Sequence, residues 1–326
     1  MPLPLMAGEV LRDRYEIERI IGQGGMGSIY LANDLRLQGR QCALKEVEHE
    51  RSLSPDLLEE ARKQFFQEAT VLARLDHPNL PKVSDFFSIE SRDYLVMDFI
   101  PGKDLRTIML DARQQDQFLD ETQVLNWASQ LADAIAFLHS QEPPILHRDI
   151  KPSNLKVTPS GLVKLVDFGL VKVLAPGEVT ITILQGQGTA LYTPIEQYGG
   201  DGGHTDVRSD IFSFGATLYH LLTNHPPADA RDRFLDPDAL LPPRQINPAI
   251  SSQTERAILW AMNIHPDDRP NSIQELQQVL FGDRPTLPRP ITRPPSFWRT
   301  AKREPEKLLW AVVASLSLVS FLITVL

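Results

Sequence analysis

The sequence has a single cysteine, Cys42, so no disulfide can close within the chain, which fits a reducing compartment. Positive charge is in deficit: 33 Lys and Arg stand against 42 Asp and Glu, leaving a formal net charge of -9. No uncompensated basic surface is evident in the globular part, so nucleic acid is excluded as the main partner. Residues 1–9 lack a positive start followed by an apolar run, and no cleavable signal peptide is expected. One long uncharged apolar run does occur, Leu308 to Leu326, about the length a helix needs to cross a bilayer. The remaining composition, 42% hydrophobic and 23% charged over 326 residues, is that of a globular chain with a sizeable core, long enough for about two domains.

The most informative stretch is His147-Arg148-Asp149-Ile150-Lys151-Pro152-Ser153-Asn154. It places a candidate base, cations and an amide on a loop between two apolar segments, Ile145-Leu146 and Leu155-Lys156-Val157, that read as strands. Pro152 keeps Lys151 out of helical geometry, so the loop should be extended and fixed. Close behind comes Lys164-Leu165-Val166-Asp167-Phe168-Gly169, an apolar strand ending in a carboxylate and a glycine. Together these stretches resemble the catalytic loop and the Asp-Phe-Gly of the protein kinases.

Upstream, Arg14 to Ile21 alternates charged and apolar residues and runs into Gly22-Gln23-Gly24-Gly25-Met26-Gly27-Ser28-Ile29. Glycines there permit a hairpin whose backbone can lie over phosphates. Alone the spacing fits a dinucleotide fingerprint or a plain turn equally well. Here a strand follows rather than a helix, and Ala43-Leu44-Lys45 ends the strand after it, which agrees with the kinase pattern.

The resemblance implies the site residues. Asp149 would orient the attacking hydroxyl and accept its proton, and Lys151 would neutralise charge near the transferred phosphate. Asn154 and Asp167 would hold Mg2+, with Mn2+ as the alternative ion. Ile21, Gly22, Gly24, Gly25, Gly27 and Ile29 would form the lid over ATP. Lys45 would hold its α- and β-phosphates, with Glu68, on a helical stretch from Pro55 to Leu75, as the ion-pair partner of Lys45. Asp98 and Ile100, after Met97, would border the adenine at the hinge. Asp210 would hold the catalytic loop from beneath, and Arg269 would pair with Glu196. Leu170 to Gln187 matches the activation loop, with Thr180 and Thr182 as candidate phosphorylation sites and Arg148 as the partner for their phosphate. Gly188 to Gln197 matches the segment that seats the substrate peptide, with Thr189 as the threonine typical of serine/threonine kinases. The chain departs from the family's Ala-Pro-Glu there, reading Pro194-Ile195-Glu196, which bears on peptide selection.

The resemblance covers Tyr15 to Phe281 and is closest to the bacterial membrane-anchored serine/threonine kinases. It implies an α+β, two-lobed protein kinase fold: a small β-rich N-lobe (15–97) with five strands and one helix, and a larger helical C-lobe (101–281). Residues 1–14 read as an N-terminal extension and 282–307 as a Pro-rich basic juxtamembrane linker. Residues 308–326 read as a C-terminal transmembrane helix that leaves the kinase domain in the cytoplasm. The expected partners are ATP, Ser/Thr-bearing proteins, the membrane and a second copy for autophosphorylation in trans. Competing readings are a pseudokinase scaffold, which would need a lesion at Lys45, Glu68, Asp149, Asn154 or Asp167, and a kinase of small molecules, against which the peptide-seating segment through Glu196 and its partner Arg269 speak.

Overall fold

The computed structural model describes residues 4–24, 27–48, 55–90, 92–167, 172–173, 190–198 and 205–282. The chain divides into two units, Met1–Pro285 and Thr286–Leu326; the second, with the apolar run Leu308 to Leu326, lies outside the described residues, as do Thr180, Thr182 and Thr189. Among the described residues no helix is long and apolar enough to cross a membrane.

The N-lobe is an antiparallel sheet of β1 (Val10–Leu11), β2 (Tyr15–Gly24), β3 (Gly27–Asp34), β4 (Gln41–Glu48), β5 (Val83–Ile89) and β6 (Arg92–Asp98), in the order β1-β2-β3-β4-β6-β5. Alternation along β2, β3 and β4 sends Tyr15, Ile17, Tyr30, Ala32, Cys42 and Leu44 into one core with Phe87, Tyr94 and Val96. The sheet thus has six strands where sequence reading gives five. The added strand, Val10–Leu11, is too short to show a period, and Arg12 and Asp13, both in the left-handed region, turn the chain back so that Leu11 faces Tyr15. Leu11 is buried and the Leu5 N–H donates to Tyr30 Oη at 3.1 Å. Leu5 and Leu11, ahead of Tyr15, thus pack on the sheet of the lobe. Helix α1 (Pro55–Arg74) packs on β5 and carries Glu68.

In the C-lobe, α2 (Leu105–Arg113) and α3 (Glu121–His139) start at Asp104 and Asp120, whose carboxylates accept the N–H of Thr107 and Gln123. Short strands β7 (Lys103–Asp104), β8 (Ile145–Leu146), β9 (Leu155–Val157), β10 (Val163–Leu165) and β11 (Lys172–Val173) frame the loop between β8 and β9. Gly102 makes the turn into β7 at φ 114°, where a Cβ would lie 2.0 Å from the Val157 carbonyl oxygen, so only glycine fits. Helix α4 (Val207–Thr223) is buried from Ser209 to Thr223, as a helix apolar on nearly every face should be. It packs on α3 and α7 (Ser252–Ala261), while α5 (Ala230–Leu235), α6 (Pro243–Ile246) and α8 (Ile273–Phe281) complete the lobe. Gly215 permits the α4–α7 approach, since a Cβ there would meet Ala261 Cβ at 2.8 Å.

Candidate active site

The loop between β8 and β9 is extended at Lys151 (φ -157°, ψ 160°) and closes in a short 3-10 turn, Pro152–Asn154. Its geometry is fixed from below. Asp210, fully buried in the first turn of α4, accepts the His147 N–H at 2.9 Å and the Arg148 N–H at 2.8 Å, and its Oδ2 lies 3.0 Å from His139 Nε2. Burial pushes the Asp210 carboxyl up, but the hydrogen bond and charge of His139, with His147 and the Arg148 N–H, outweigh it and hold it below the usual range. Arg148 sits at φ 66°, a conformation that costs a non-glycine residue on the order of 1 kcal/mol. The two backbone hydrogen bonds to Asp210 hold the turn in place against that cost.

Within the loop, Asn154 Nδ2 donates to the Asp149 carbonyl at 2.8 Å and to Asp149 Oδ2 at 2.9 Å. Lys151 Nζ straddles the same carboxylate, 2.8 Å from both oxygens, with its donor directed at Oδ2. Oδ1 is the open acceptor, since no hydrogen bond is directed at it among the described residues. Because the Asn154 nitrogen is committed to Asp149, its amide oxygen is the atom left for a hard cation. Asp167 is brought alongside by β-type pairing: the Val166 N–H donates to the Asn154 carbonyl at 2.8 Å, and the Leu165 N–H to the Asn79 carbonyl at 2.8 Å. Asp167 itself turns at φ 68°. Its carboxyl is pushed up by burial, yet the charge and hydrogen bond of Lys45, then His147 and Lys151, bring the net direction below the ordinary carboxylate value. It is therefore ionised at neutral pH, as a magnesium ligand must be.

From the N-lobe, Lys45 Nζ donates to Asp167 Oδ1, an ion pair that the sequence reading did not foresee. The expected partner of Lys45, Glu68, is half-buried on α1, and its charge favours the charged form of Arg148. Lys45 is presented by β4 opposite Ile29 of β3. Gly22 pairs with Ile29 and Gly24 with Gly27 at the hairpin tip, while Gly25 lies outside the described residues. Gly27 has φ 138°, and a Cβ there would lie 2.2 Å from the Glu46 carbonyl oxygen, so the hairpin tip requires glycine. Ile21 is exposed at the same edge. At the hinge, Asp98 ends β6, donates its N–H to the Lys82 carbonyl at 3.0 Å and lies 3.5 Å from Arg40; Ile100 is buried.

The segment Ala190 to Tyr198 is tied to α4. Ser213 Oγ donates to the Tyr192 carbonyl at 2.8 Å and Ser209 Oγ to Glu196 Oε1 at 2.8 Å. Arg269 grips Glu196 through both terminal nitrogens, at 2.6 and 3.0 Å, and donates to the carbonyls of Asn263, Ile264 and Arg208. The Glu196–Arg269 pair expected from sequence is formed. Sequence reading passed over Asn79, which joins the catalytic strands by donating to the Val163 carbonyl at 2.8 Å. It also passed over His139 and His220, polar residues in the last turns of α3 and α4 with no motif to mark them.

His220 carries a pH prediction. Burial, then the charges of Arg106, Arg113 and His225, pull its imidazole down to about 4 from 6.5; it packs against Tyr192. Burial likewise pulls His147 down, against the opposing pull of Asp210, Asp149 and Asp167. Both rings are neutral in the fold and bind a proton more readily in the unfolded chain. The His220 contribution is intact above pH 6.5 and is lost, by about 3 kcal/mol, as the pH falls toward 4, and His147 acts in the same direction. Urea midpoints should drop between pH 7 and pH 4.5, and drop less in His220→Phe; identical pH profiles for the two proteins would contradict the assignment.

A family model described as protein kinase domain matches residues 15–281. A probable serine/threonine-protein kinase of Clostridium acetobutylicum is 34% identical over 282 residues, covering 84% of this chain and 40% of that protein. Serine/threonine-protein kinase PknB of Mycobacterium leprae is 30% identical over 296 residues, covering 86% and 45%. The chain thus spans less than half the length of these curated relatives. Among solved structures, the apo form of PpkA-294 matches with a TM-score of 0.67 at 27% identity, over 85% of this chain and 99% of that one. The kinase domain of Mycobacterium tuberculosis PknI matches at 0.62 and 26%, over 85% and 98%.

Proposed function

The chain belongs to the protein kinase family, and from that premise we propose that it transfers the γ-phosphate of ATP to serine or threonine hydroxyls of proteins. The observation that carries this reading is the convergence of Lys45, Asp149, Lys151, Asn154 and Asp167 from separate elements of both lobes.

Phosphoryl transfer asks a protein mainly for positioning and charge neutralisation. Asp149 Oδ1, at which no hydrogen bond is directed among the described residues, would accept the hydrogen of the attacking hydroxyl and aim its oxygen. Lys151, already on that carboxylate, balances negative charge as the oxygen attacks. Asp167 and the Asn154 amide oxygen would hold Mg2+, or Mn2+ in its place, and the residues fit that ion: one ionised carboxylate and one amide oxygen, both hard oxygen donors. When bound, the ion neutralises and orients the phosphate oxygens. Lys45 would hold the α- and β-phosphates, under a lid of Gly22, Gly24, Gly25, Gly27, Ile21 and Ile29. The adenine would lie between that lid and the hinge at Asp98 and Ile100.

Two finer readings go with it. Arg148 is buried with a guanidinium Nε directed at no acceptor among the described residues, and its Nη2 lies 3.4 Å from Thr205 Oγ1. That is the chemistry of a seat for a phosphate on Thr180 or Thr182, placed there by a second copy of the chain. The apolar run Leu308 to Leu326, after a Pro-rich linker with excess Arg and Lys, serves as a membrane anchor that keeps the kinase unit on the cytoplasmic side. Cell fractionation should recover the full chain with membranes, released by detergent and not by salt; recovery in the soluble fraction would contradict the anchor.

The scaffold reading loses ground because Lys45, Glu68, Asp149, Asn154 and Asp167 are all present. The small-molecule reading loses ground because the Glu196–Arg269 pair and the α4 contacts hold a peptide-seating segment in place. The test is incubation of the full chain with labelled ATP, magnesium and a generic protein substrate, followed by phosphoamino-acid analysis. Label on phosphoserine or phosphothreonine is expected. Nucleotide binding without transfer would favour the scaffold, and label on aminoglycosides or choline alone would favour the third reading.

A further inference from the structure

Five of the six buried polar residues of α4 fall on two stripes of the helix, while Thr223, in the last turn, donates to the Tyr219 and His225 carbonyls. At 3.6 residues per turn, Ser209, Ser213 and His220 share one side, and Asp210 and Thr217 lie about a fifth of a turn away. The second stripe holds the loop that carries the base: Asp210 takes the N–H groups of His147 and Arg148, and Thr217 Oγ1 donates to the Ile150 carbonyl at 3.3 Å. The first stripe holds the segment from Tyr192 to Glu196. Ser209 reaches Glu196, Ser213 reaches the Tyr192 carbonyl, and the Tyr192 hydroxyl lies 2.5 Å from His220 Nδ1, with the two rings 6.0 Å apart. One rigid helix therefore sets the separation between the Asp149 loop and the Tyr192–Glu196 segment.

His220 is the polar group of the first stripe with no counterpart in the reading so far. It is 9% exposed and Tyr192 is 7% exposed, so neither side chain can exchange its partner for bulk water. The described charges that act on the pair are all positive: Arg106 bears on both side chains, Arg113 and His225 on the imidazole. Arg113 is itself held at the end of α4, its Nη1 3.4 Å from the Asn224 carbonyl. Such surroundings keep the imidazole unprotonated, and an unprotonated Nδ1 is what the Tyr192 hydroxyl needs as acceptor.

We propose that His220 is a positioning residue for the protein substrate: through Tyr192 it holds the Tyr192–Glu196 segment in register with Asp149. This rests on the kinase reading, and places the effect on peptide binding rather than on nucleotide binding. Removing one partner leaves a buried polar group unpaired, so the seat shifts in Tyr192→Phe and in His220→Phe alike.

The test measures KM and kcat for a peptide substrate, and KM for ATP, in the full chain with Tyr192→Phe, His220→Phe, the double variant and His220→Asn, which returns a neutral acceptor. Peptide KM should rise about tenfold in each Phe variant, with the double variant no worse than the singles and partial recovery in His220→Asn. Unchanged peptide KM, equal losses in the ATP KM, or fully additive losses in the double variant would overturn the proposal. Hydrogen exchange supplies a readout that needs no turnover: amides of residues 190–198 should exchange faster in His220→Phe, and unchanged exchange there would also overturn it. A wild type that moves no phosphate but shows that exchange difference would sink the kinase reading and leave the His220–Tyr192 coupling standing.

Discussion

Asp149→Asn is expected to lower phosphoryl transfer about 10²–10⁴-fold while leaving the melting temperature and ATP affinity close to wild type. The replacement is isosteric and keeps an acceptor for Lys151 Nζ and Asn154 Nδ2, which now share Oδ2. What it removes is the negative charge and the acceptor Oδ1 that no described hydrogen bond uses, so the attacking hydroxyl is neither aimed nor relieved of its proton. Asp149 is buried but its backbone is held by neighbours, with Asp210 gripping residues 147 and 148 and Thr217 gripping residue 150. The loop therefore has no reason to collapse when the charge is lost. Single-turnover transfer, nucleotide titration and thermal denaturation on the same protein separate these effects. A variant that loses transfer only because it unfolds would contradict a chemical role for the carboxylate.

The largest effect on stability is expected for Arg269→Met. The Arg269 side chain is fully buried, and its nitrogens are committed to Glu196 and to the carbonyls of Asn263, Ile264 and Arg208. The guanidinium also lies 4.9 Å from the Phe212 ring centroid. Removing it leaves the Glu196 carboxylate buried with Ser209 alone among these contacts, together with carbonyls stripped of a donor. Breaking one side of a buried ion pair costs about 3–5 kcal/mol, which in a domain of this size lowers the melting temperature by about 10 °C. Replacing both partners, Glu196→Met with Arg269→Met, should recover part of the loss, since two apolar side chains leave no orphan charge. A double variant as unstable as the single would show that the pair is not the seat of the cost. Transfer to peptide should fall in the single variant as well, because the segment from Tyr192 to Glu196 loses its anchor.

The contrast between these two residues shows what was legible in the chain. Asp149 announced itself because eight adjacent positions carried a cation, a base, a proline and an amide at fixed spacing, and local geometry turned that spacing into a site. Glu196 and Arg269 lie 73 positions apart, and only the resemblance to a family joined them. Helices α3 and α4 carry apolar residues at helical spacing along their length, while their starts at the caps Asp120 and Asp206 are seen only in the structure. Val10–Leu11 was not legible, since two residues cannot show a period and its pairing is set by the turn at Arg12 and Asp13. Nor was the Lys45–Asp167 contact, which depends on how the two lobes close over the cleft rather than on any local pattern. His220 and Asn79 were hidden for a third reason. A polar residue outside any motif, in a largely apolar helix or beyond a helix end, reads as tolerated, and only its partners reveal that it is required.

The convergence of Asp149, Asn154, Asp167 and Lys45 on one nucleotide is tested most directly by a crystal structure of the kinase unit grown with magnesium and a non-hydrolysable ATP analogue. The expected result is a magnesium ion about 2.1 Å from a carboxylate oxygen of Asp167 and from the Asn154 amide oxygen, with the α- and β-phosphates against Lys45. A nucleotide seated away from the glycine hairpin, or a metal that takes neither Asp167 nor Asn154 as ligand, would contradict it.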